Sequence, residues 1–374
     1  MKRRSHYRAL LALQSVPDMG LRRIKQLLHK TGVSDAAELF NLKVHDFLKI
    51  DGFGEHVARN IVTFDGWNEV DAILEKTEKA GADLVAVDDE EYPRMLRQIY
   101  DPPILLWVKG DKSVLNSDGV AIIGTRRPGT YGMQQTAVWA KQLAETGITV
   151  NSGLAYGVDA IAHKTALQSG GKTVAVLGSG IDVIYPAKNS NIARQMAENG
   201  GAVITEYPPG SPPDAVNFPA RNRIVSGMSH GVLVVESGIK GGSMITARYA
   251  LDQNREVFVV PHQLDYARGE GCNYLIKMGQ GKLVQRLDDI LEEVSITTNE
   301  VQAQKAVQTA KKWESLELNS ELETICKLLA EGELHIDQIS GKLGSPTFKL
   351  LPLLLDLEMQ GAVRQKAGKY FELV

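Results

Sequence analysis

Cysteine is nearly absent from this chain. Cys272 and Cys326 are the only two in 374 residues, they lie far apart, and neither has neighbours of a metal-ligating kind. That argues against a disulfide framework and a zinc site, and it fits a reducing compartment. Long apolar runs are missing too. No stretch reaches the roughly 20 residues that cross a bilayer, and Met1-Lys-Arg-Arg4 leads into a mixed helical segment in place of an apolar signal core. A cytoplasmic protein with no membrane contact is the expectation. Net charge is small as well, at −3, with 42 Lys and Arg against 45 Asp and Glu. Any polyanion-binding surface must therefore be built by local concentration of cations.

The usual nucleotide signatures are incomplete. Gly171-Lys-Thr173 resembles the end of a phosphate loop, but Ala166 stands where that motif requires glycine, and the triplet leads into a strand. Gly178-Ser-Gly180 opens like a dinucleotide fingerprint, with Val183 where the third small residue belongs. ATP hydrolysis and a nicotinamide or flavin cofactor have no support; no cofactor and no metal are expected.

What the chain does have is the run Val120-Ala-Ile-Ile-Gly-Thr-Arg-Arg-Pro-Gly-Thr-Tyr-Gly132. A short apolar strand ends in Gly124, two arginines follow, and Tyr131-Gly132 opens a helix. Amides at a helix N-terminus attract anions, and Gly124 permits close approach of the backbone. Two adjacent arginines, Arg126 and Arg127, point to a polyanion such as a nucleic-acid backbone.

Periodicity divides the chain. Residues 1–75 read as helices with two hairpin phrases, Ser15–Leu28 and Phe47–Ile61. Both resemble helix-hairpin-helix units, whose amides grip phosphate in some proteins and merely pack helices in others. Arg22, Arg23 and Lys25 favour contact at the first; Asp51 and Glu55 oppose it at the second. Residues 83–294 alternate short β-branched strands with helical stretches. The strands are Asp83–Val87, Leu105–Lys109, Val120–Ile123, Thr149–Asn151, Val174–Leu177, Val203–Thr205, Val232–Val235, Val257–Val260 and Leu283–Gln285. Several are continuously apolar, as strands buried on both faces are. This is the pattern of a doubly wound, mostly parallel α/β sheet, whose ligands bind beyond the carboxyl ends of the strands. Residues 295–316 are polar and read as a linker. Residues 317–374 predict three helices and a terminal hairpin, a winged helix. Its would-be recognition helix, Pro346–Gln360, carries one lysine and two acids, which favours a protein-interaction module over a DNA reader.

Glycine gathers at the strand ends. Ser152-Gly-Leu-Ala-Tyr-Gly-Val-Asp159 makes a tight loop at Gly153 and Gly157, with Asp159 as a helix cap and His163 one turn further on. The Asp159–His163 pair reads as a cap and a hydrogen-bonded partner ahead of a catalytic pair. Phe218-Pro-Ala-Arg-Asn-Arg223 sets an aromatic beside Arg221, Asn222 and Arg223, which suits a single strand whose phosphate is held and whose base is stacked. Its structural alternative is a core Phe218 and a buried arginine ion pair. Gly241, Gly242 and Ser243 offer amides at a second helix start, with Thr246 one turn in and Lys240 and Arg248 flanking. Asn273 and Lys277 are expected at the same rim.

Together these phrases closely resemble the DNA-processing protein A family (DprA, also called Smf), over residues 83–290. The matching phrases also include Glu206-Tyr-Pro-Pro-Gly210, Leu-Gly-Ser-Gly-Ile-Asp…Tyr185-Pro186 and Gly-Ser-Met-Ile-Thr-Ala247. The resemblance implies an extended Rossmann domain flanked by an N-terminal helical, SAM-like domain and a winged helix. It implies a cytoplasmic, non-enzymatic protein that binds and protects single-stranded DNA. It further implies a homodimer that loads a RecA-type recombinase onto incoming strands in natural transformation and recombination. Carried over by motif, Gly124, Thr125, Arg126, Tyr131 and Gly132 form the strand-binding loop, joined by Arg127, Ser152 and Gly153. Phe218, Arg221, Asn222 and Arg223 line the same pocket, with Gly241, Gly242, Ser243, Thr246 and Lys277 at its rim. Two departures stand out: Ala220 replaces a basic residue common among relatives, and Pro261-His-Gln263 replaces Pro-Gly. The rival, a phosphoribohydrolase acting on nucleoside monophosphates, needs a catalytic Glu just after Thr246, where this chain has Ala247, Arg248 and Tyr249.

Overall fold

The computed structural model describes residues 3–33, 35–294, 318, 320–330, 332–366 and 369–373. Its contacts divide the chain into two units, Met1–Ile296 and Thr297–Val374. The stretch read as a linker, 295–316, lies outside the described residues, as does the hairpin tip at 367–368.

The first unit begins with helices α1 (Arg4–Ser15), α2 (Leu21–Thr31), α3 (Val44–Phe47), α4 (Glu55–Val62) and α5 (Trp67–Lys79). Nine strands follow: β1 (Asp83–Ala86), β2 (Leu105–Gly110), β3 (Gly119–Gly124), β4 (Thr149–Ser152), β5 (Thr173–Val176), β6 (Ala202–Thr205), β7 (Gly231–Glu236), β8 (Glu256–Val259) and β9 (Lys282–Leu283). Between them run α6 (Arg94–Arg97), α7 (Thr130–Glu145), α8 (Val158–Gln168), α9 (Ser190–Glu198), α10 (Asn217–Gly227), α11 (Gly242–Asp252) and α12 (Glu270–Lys277), with α13 (Asp288–Leu291) after β9. All nine expected strands are present.

The sheet order is β1-β2-β6-β5-β4-β3-β7-β8-β9. The six pairings from β6 to β9 are parallel, whereas β1/β2 and β2/β6 are antiparallel. Side chains on a strand alternate between faces, and the packing follows that rule. Val120 and Ile122 of β3 and Leu233 and Val235 of β7 pack with Trp139 of α7 and Ala162 of α8. Ala121 and Ile123, with Val232 and Val234, join Ile224 of α10 and Ala247 of α11 in the other core. Helices therefore cover both faces, which is why these strands carry no polar alternation.

The N-terminal helices share that second core: Leu10, Leu13, Ile24 and Leu74 belong to one cluster with Val85 and Leu106. Polar ties reinforce the junction. The Trp107 indole N–H of β2 donates to Thr77 Oγ1 of α5 at 2.9 Å, and the Tyr7 hydroxyl donates to Asp89 at 2.9 Å.

In the second unit α14 (Ser320–Leu329), α15 (Ile336–Leu343) and α16 (Thr347–Met359) pack Ile325, Ile339 and Leu354 into one core, closed by Phe371. Strands β10 (Leu334–His335), β11 (Val363–Lys366) and β12 (Tyr370–Leu373) form a small sheet in the order β10-β12-β11. This is the expected winged helix. Gly344, at φ +61°, ends α15 in a left-handed conformation that glycine adopts freely. Among the described residues no helix is long and apolar enough to cross a membrane.

Thr77→Val keeps the side-chain shape but leaves the fully buried Trp107 N–H without an acceptor. We expect a loss of about 1–3 kcal/mol, read as a lower urea midpoint with an unchanged m value.

Candidate functional site

The chain runs outward from β3 in both directions: β4, β5 and β6 are laid down on one side, and β7, β8 and β9 on the other. A crevice opens where the order reverses, beyond the carboxyl ends of β3 and β7. Here it is a cleft of about 690 Å³. Five loops frame it, those after β3, β4, β5 and β7 and the one leading into α10.

The loop after β3 carries the cations. Arg126 is exposed and lines the cleft, and its guanidinium lies 5.9 Å from the centre of the Phe218 ring. That is within cation–π range. Among the described residues neither Arg126 nor Arg127 forms an ion pair. Tyr185 stands beside Phe218, with ring centres 5.5 Å apart, and remains 42% exposed. A small recess next to the cleft adds Tyr156 to this group. Two guanidiniums, exposed Arg126 and largely buried Arg221, and three rings thus meet here.

The same loop ends differently from its sequence reading. Its helix start was expected to receive an external anion. Instead the carboxylate of Glu236, fully buried at the end of β7, accepts the Gly129 N–H at 3.0 Å. Gly129 is the N-cap of α7. An internal anion already sits there, so the attraction left in this loop comes from the arginine side chains. Gly132 has a steric reason: a Cβ there would lie 2.2 Å from Glu236 Oε2.

Arg126, Arg221 and Arg223, expected around one pocket, have three fates. Arg221 is largely buried, yet it lines the cleft and the recess beside it. Its Nη1 donates to the carbonyls of Gly153, at 2.7 Å, and of Val176. Burial lowers its pKa to about 10, with Asp159 opposing that shift, so it stays charged at neutral pH. Gly153 is required because a Cβ would lie 2.7 Å from the guanidinium carbon. Arg223 makes a bidentate pair with Glu206, at 2.8 and 2.7 Å, and reaches Asp101 at 3.0 Å. A guanidinium so occupied has little left for phosphate. Arg126 alone of the three is uncommitted. The structural alternative for this segment therefore holds for Arg223, whose expected phosphate role is withdrawn, whereas Arg221 lines the cleft as expected, with its Nη1 held by two carbonyls.

The other candidates sort by position. Gly124, Thr125, Gly153, Phe218, Asn222 and the amide-bearing turn Gly241–Ser243 line the cleft, as does Thr246. Ser152 is buried and donates to Ile122 O at 2.6 Å. Tyr131 and Arg127 lie beyond the cleft lining; the Tyr131 hydroxyl donates to Pro261 O at 3.4 Å. Lys277 ends α12, exposed and away from the cleft lining. Asn273 exchanges two hydrogen bonds of 3.1 Å with the His262 backbone, fastening the loop that departs from the family pattern. Among the described residues the cleft presents one carboxylate, Asp159, whose Oδ2 accepts the Gly153 and Ala155 amides at 3.1 and 3.2 Å. It does not cap its helix as expected: Gly157 is the N-cap of α8, and Asp159, inside the first turn, holds the amides of the loop that precedes it.

Comparison with known proteins fits this geometry. The family model for DNA recombination-mediator protein A matches residues 83–295. This chain belongs to that family. The DprA winged-helix domain model matches residues 310–369. Protein Smf of Escherichia coli (strain K12) is 36% identical over 298 residues, covering 78% of this chain and 77% of the relative. DNA processing protein DprA of Bacillus subtilis (strain 168) is 38% identical over 223 residues, covering 59% of this chain and 74% of the relative. The DprA crystal structure from Streptococcus pneumoniae superposes with a TM-score of 0.65 at 33% identity, over 77% of this chain and 98% of that one. DprA from Helicobacter pylori, a protein described by its single-stranded DNA binding mode, gives 0.52 at 33% identity, over 57% and 96%.

Against the DprA motifs, sequence reasoning missed two participants. Tyr185 lay inside a quoted phrase, but nothing local marked its ring as cleft-facing. Glu236 closes an apolar strand, and a lone acid at that place is the one signal that it has a buried partner.

His163 is structural. Thr173 gives its only hydroxyl hydrogen to Val150 O, so His163 Nδ1 must carry the proton it shares with Thr173 Oγ1 at 2.6 Å. Burial, reinforced by the Arg221 charge, pushes its pKa down to about 3. The unfolded chain takes up this proton near pH 6.5, and the folded one does not. Stability is therefore intact above pH 6.5 and falls as pH drops from there toward 3, by about 2 kcal/mol at pH 5 from this group. His163→Gln should flatten that part of the stability–pH curve in urea titrations at pH 5 and 7.

Proposed function

We propose that the cleft holds single-stranded DNA and that the protein acts as a non-enzymatic mediator of recombination. The observation that carries this reading is the unpaired Arg126 set over Phe218, with Tyr185 and Tyr156 alongside. A guanidinium for phosphate and open rings for bases suit an unpaired strand, whose bases are free to stack. A duplex keeps its bases inside. The phosphoribohydrolase reading is disfavoured because Ala247, Arg248 and Tyr249 follow Thr246 where that chemistry places a Glu. The Helicobacter relative supports the choice of ligand. From the family resemblance we extend the reading to a homodimer that passes the coated strand to a RecA-type recombinase. The 83–294 domain carries the strand contact in this scheme.

The winged helix has a separate role in it. Its helix α16 holds Lys349 as its one basic residue, and it exposes Phe348, Leu351, Leu355 and Met359 along one side. These are spaced three, four and four residues apart, so they form one stripe. An apolar stripe serves a protein partner better than it serves phosphates.

Two outcomes test the scheme. A single-stranded oligonucleotide should bind more tightly than a duplex of equal length. Arg126→Ala should weaken single-strand binding for every sequence, because phosphate contacts carry no base information. The slope of log affinity against log salt should become shallower by about 0.7, with the melting temperature unmoved. A lowered melting temperature with an unchanged slope would sink the phosphate role. For the second unit, deletion of residues 317–374 should leave single-strand affinity within about threefold, roughly 0.7 kcal/mol, by the same titration.

A further inference from the structure

The loop that bears the arginines, Thr125–Pro128, is fastened at both ends to one residue. At its start the Thr125 amide donates to the Glu236 backbone carbonyl at 2.7 Å. Just past its end the Gly129 amide donates to the Glu236 carboxylate, at 3.0 Å to Oε1 and 3.3 Å to Oε2. The β3–β7 register shifts at this point, so that Gly124 faces Glu236. The Tyr266 hydroxyl, at 3.4 Å from Oε1, is a second donor to the carboxylate. Three glycines make room for the arrangement. A Cβ on Gly124 would come within 2.9 Å of Glu236 O, one on Gly132 within 2.2 Å of Oε2, and one on Gly129 within 2.5 Å of the Tyr266 hydroxyl. Glu236 is fully buried and lies outside the cleft lining, so it does not touch a ligand there.

We propose that Glu236 is a positioning residue for DNA capture: by closing the four-residue loop at both ends, it holds Arg126 at the cleft mouth over Phe218. This inference rests on the single-strand reading above. The physical logic is entropic. A free loop with two long side chains must be ordered when it binds, and that ordering subtracts from affinity. A buried anion at the start of α7 does the ordering in advance. It also stands where the helix would otherwise draw in a phosphate, so the ligand's charge is left to the side chains.

The test uses the full-length chain and an unstructured single-stranded oligonucleotide. Glu236→Gln keeps the shape and removes one of the two accepting oxygens. We expect binding five- to twentyfold weaker and a salt slope shallower by about 0.7, as if the Arg126 contact were lost. The decisive comparison is the double variant. Arg126→Ala with Glu236→Gln should bind within about twofold of Arg126→Ala alone, because Glu236 acts through Arg126. A merely structural role predicts losses that multiply, and that result overturns the proposal. So does a Glu236→Gln chain that binds like the parent while Arg126→Ala is weakened, an outcome that leaves the single-strand reading intact. Failure of the parent chain to bind the oligonucleotide would overturn that reading and this inference with it. If Glu236→Gln does not fold, Tyr266→Phe removes one donor to the same carboxylate from a half-buried ring; about twofold weaker binding that vanishes in the Arg126→Ala background supports the proposal, and no effect overturns it.

Discussion

The reversal of strand order at β3 and β7 is the constraint on which the rest depends. Two parallel strands that diverge in connectivity leave their carboxyl-end loops with no covering crossover, and a crevice opens there. Each of its walls comes from a different βα unit. Because the strands are apolar on both faces, their ends are where polar chemistry can first appear. The glycines cluster there because loops from neighbouring units must pass within contact distance of one another, as Gly157 does against the Thr125 carbonyl.

Around that crevice, charge is largely settled within the protein. Asp159 fastens the loop before α8, Glu236 the start of α7, and Glu206 with Asp101 neutralises Arg223. Arg221 lines the cleft and holds two neighbouring segments by their carbonyls. A guanidinium whose Nη1 is held by two carbonyls serves as a cross-brace, and its charge is balanced in part by Asp159. Of the cations that line the cleft, among the described residues, Arg126 is the exposed and unpaired one, with Phe218 and Tyr185 beside it. A chain with a net charge of −3 can thus present a cationic point without a cationic surface.

The helices at the N-terminus gain a role from the same view. They read as a separate hairpin domain, yet their apolar faces complete the core under the antiparallel edge of the sheet. Arg8 is paired with Asp71 at 2.6 Å and lies over Trp67. Gln26 donates to the Asp51 carbonyl at 2.5 Å, tying the first hairpin to the second. Their polar groups largely serve one another and the sheet.

The sequence by itself determined the α/β class, the nine strands, the winged helix and the family. These depend on local period and on motifs read within a few residues, and local period survives folding unchanged. It determined which loops carry glycine and cation, and so where the cleft lies. It did not separate Arg126 from Arg221 and Arg223. All three are arginines beside polar residues in a loop or helix start, and their roles depend on partners far away in the chain. Asp101 lies 122 residues from Arg223, and the Gly153 carbonyl 68 from Arg221. Nor did it place the antiparallel edge, because β2 pairs with β6 across a long sequence separation, or reveal Glu236 as the partner of Gly129, 107 residues away. Tertiary structure decided these because an ion pair or a cap is a matter of distance in space, which spacing along the chain does not encode.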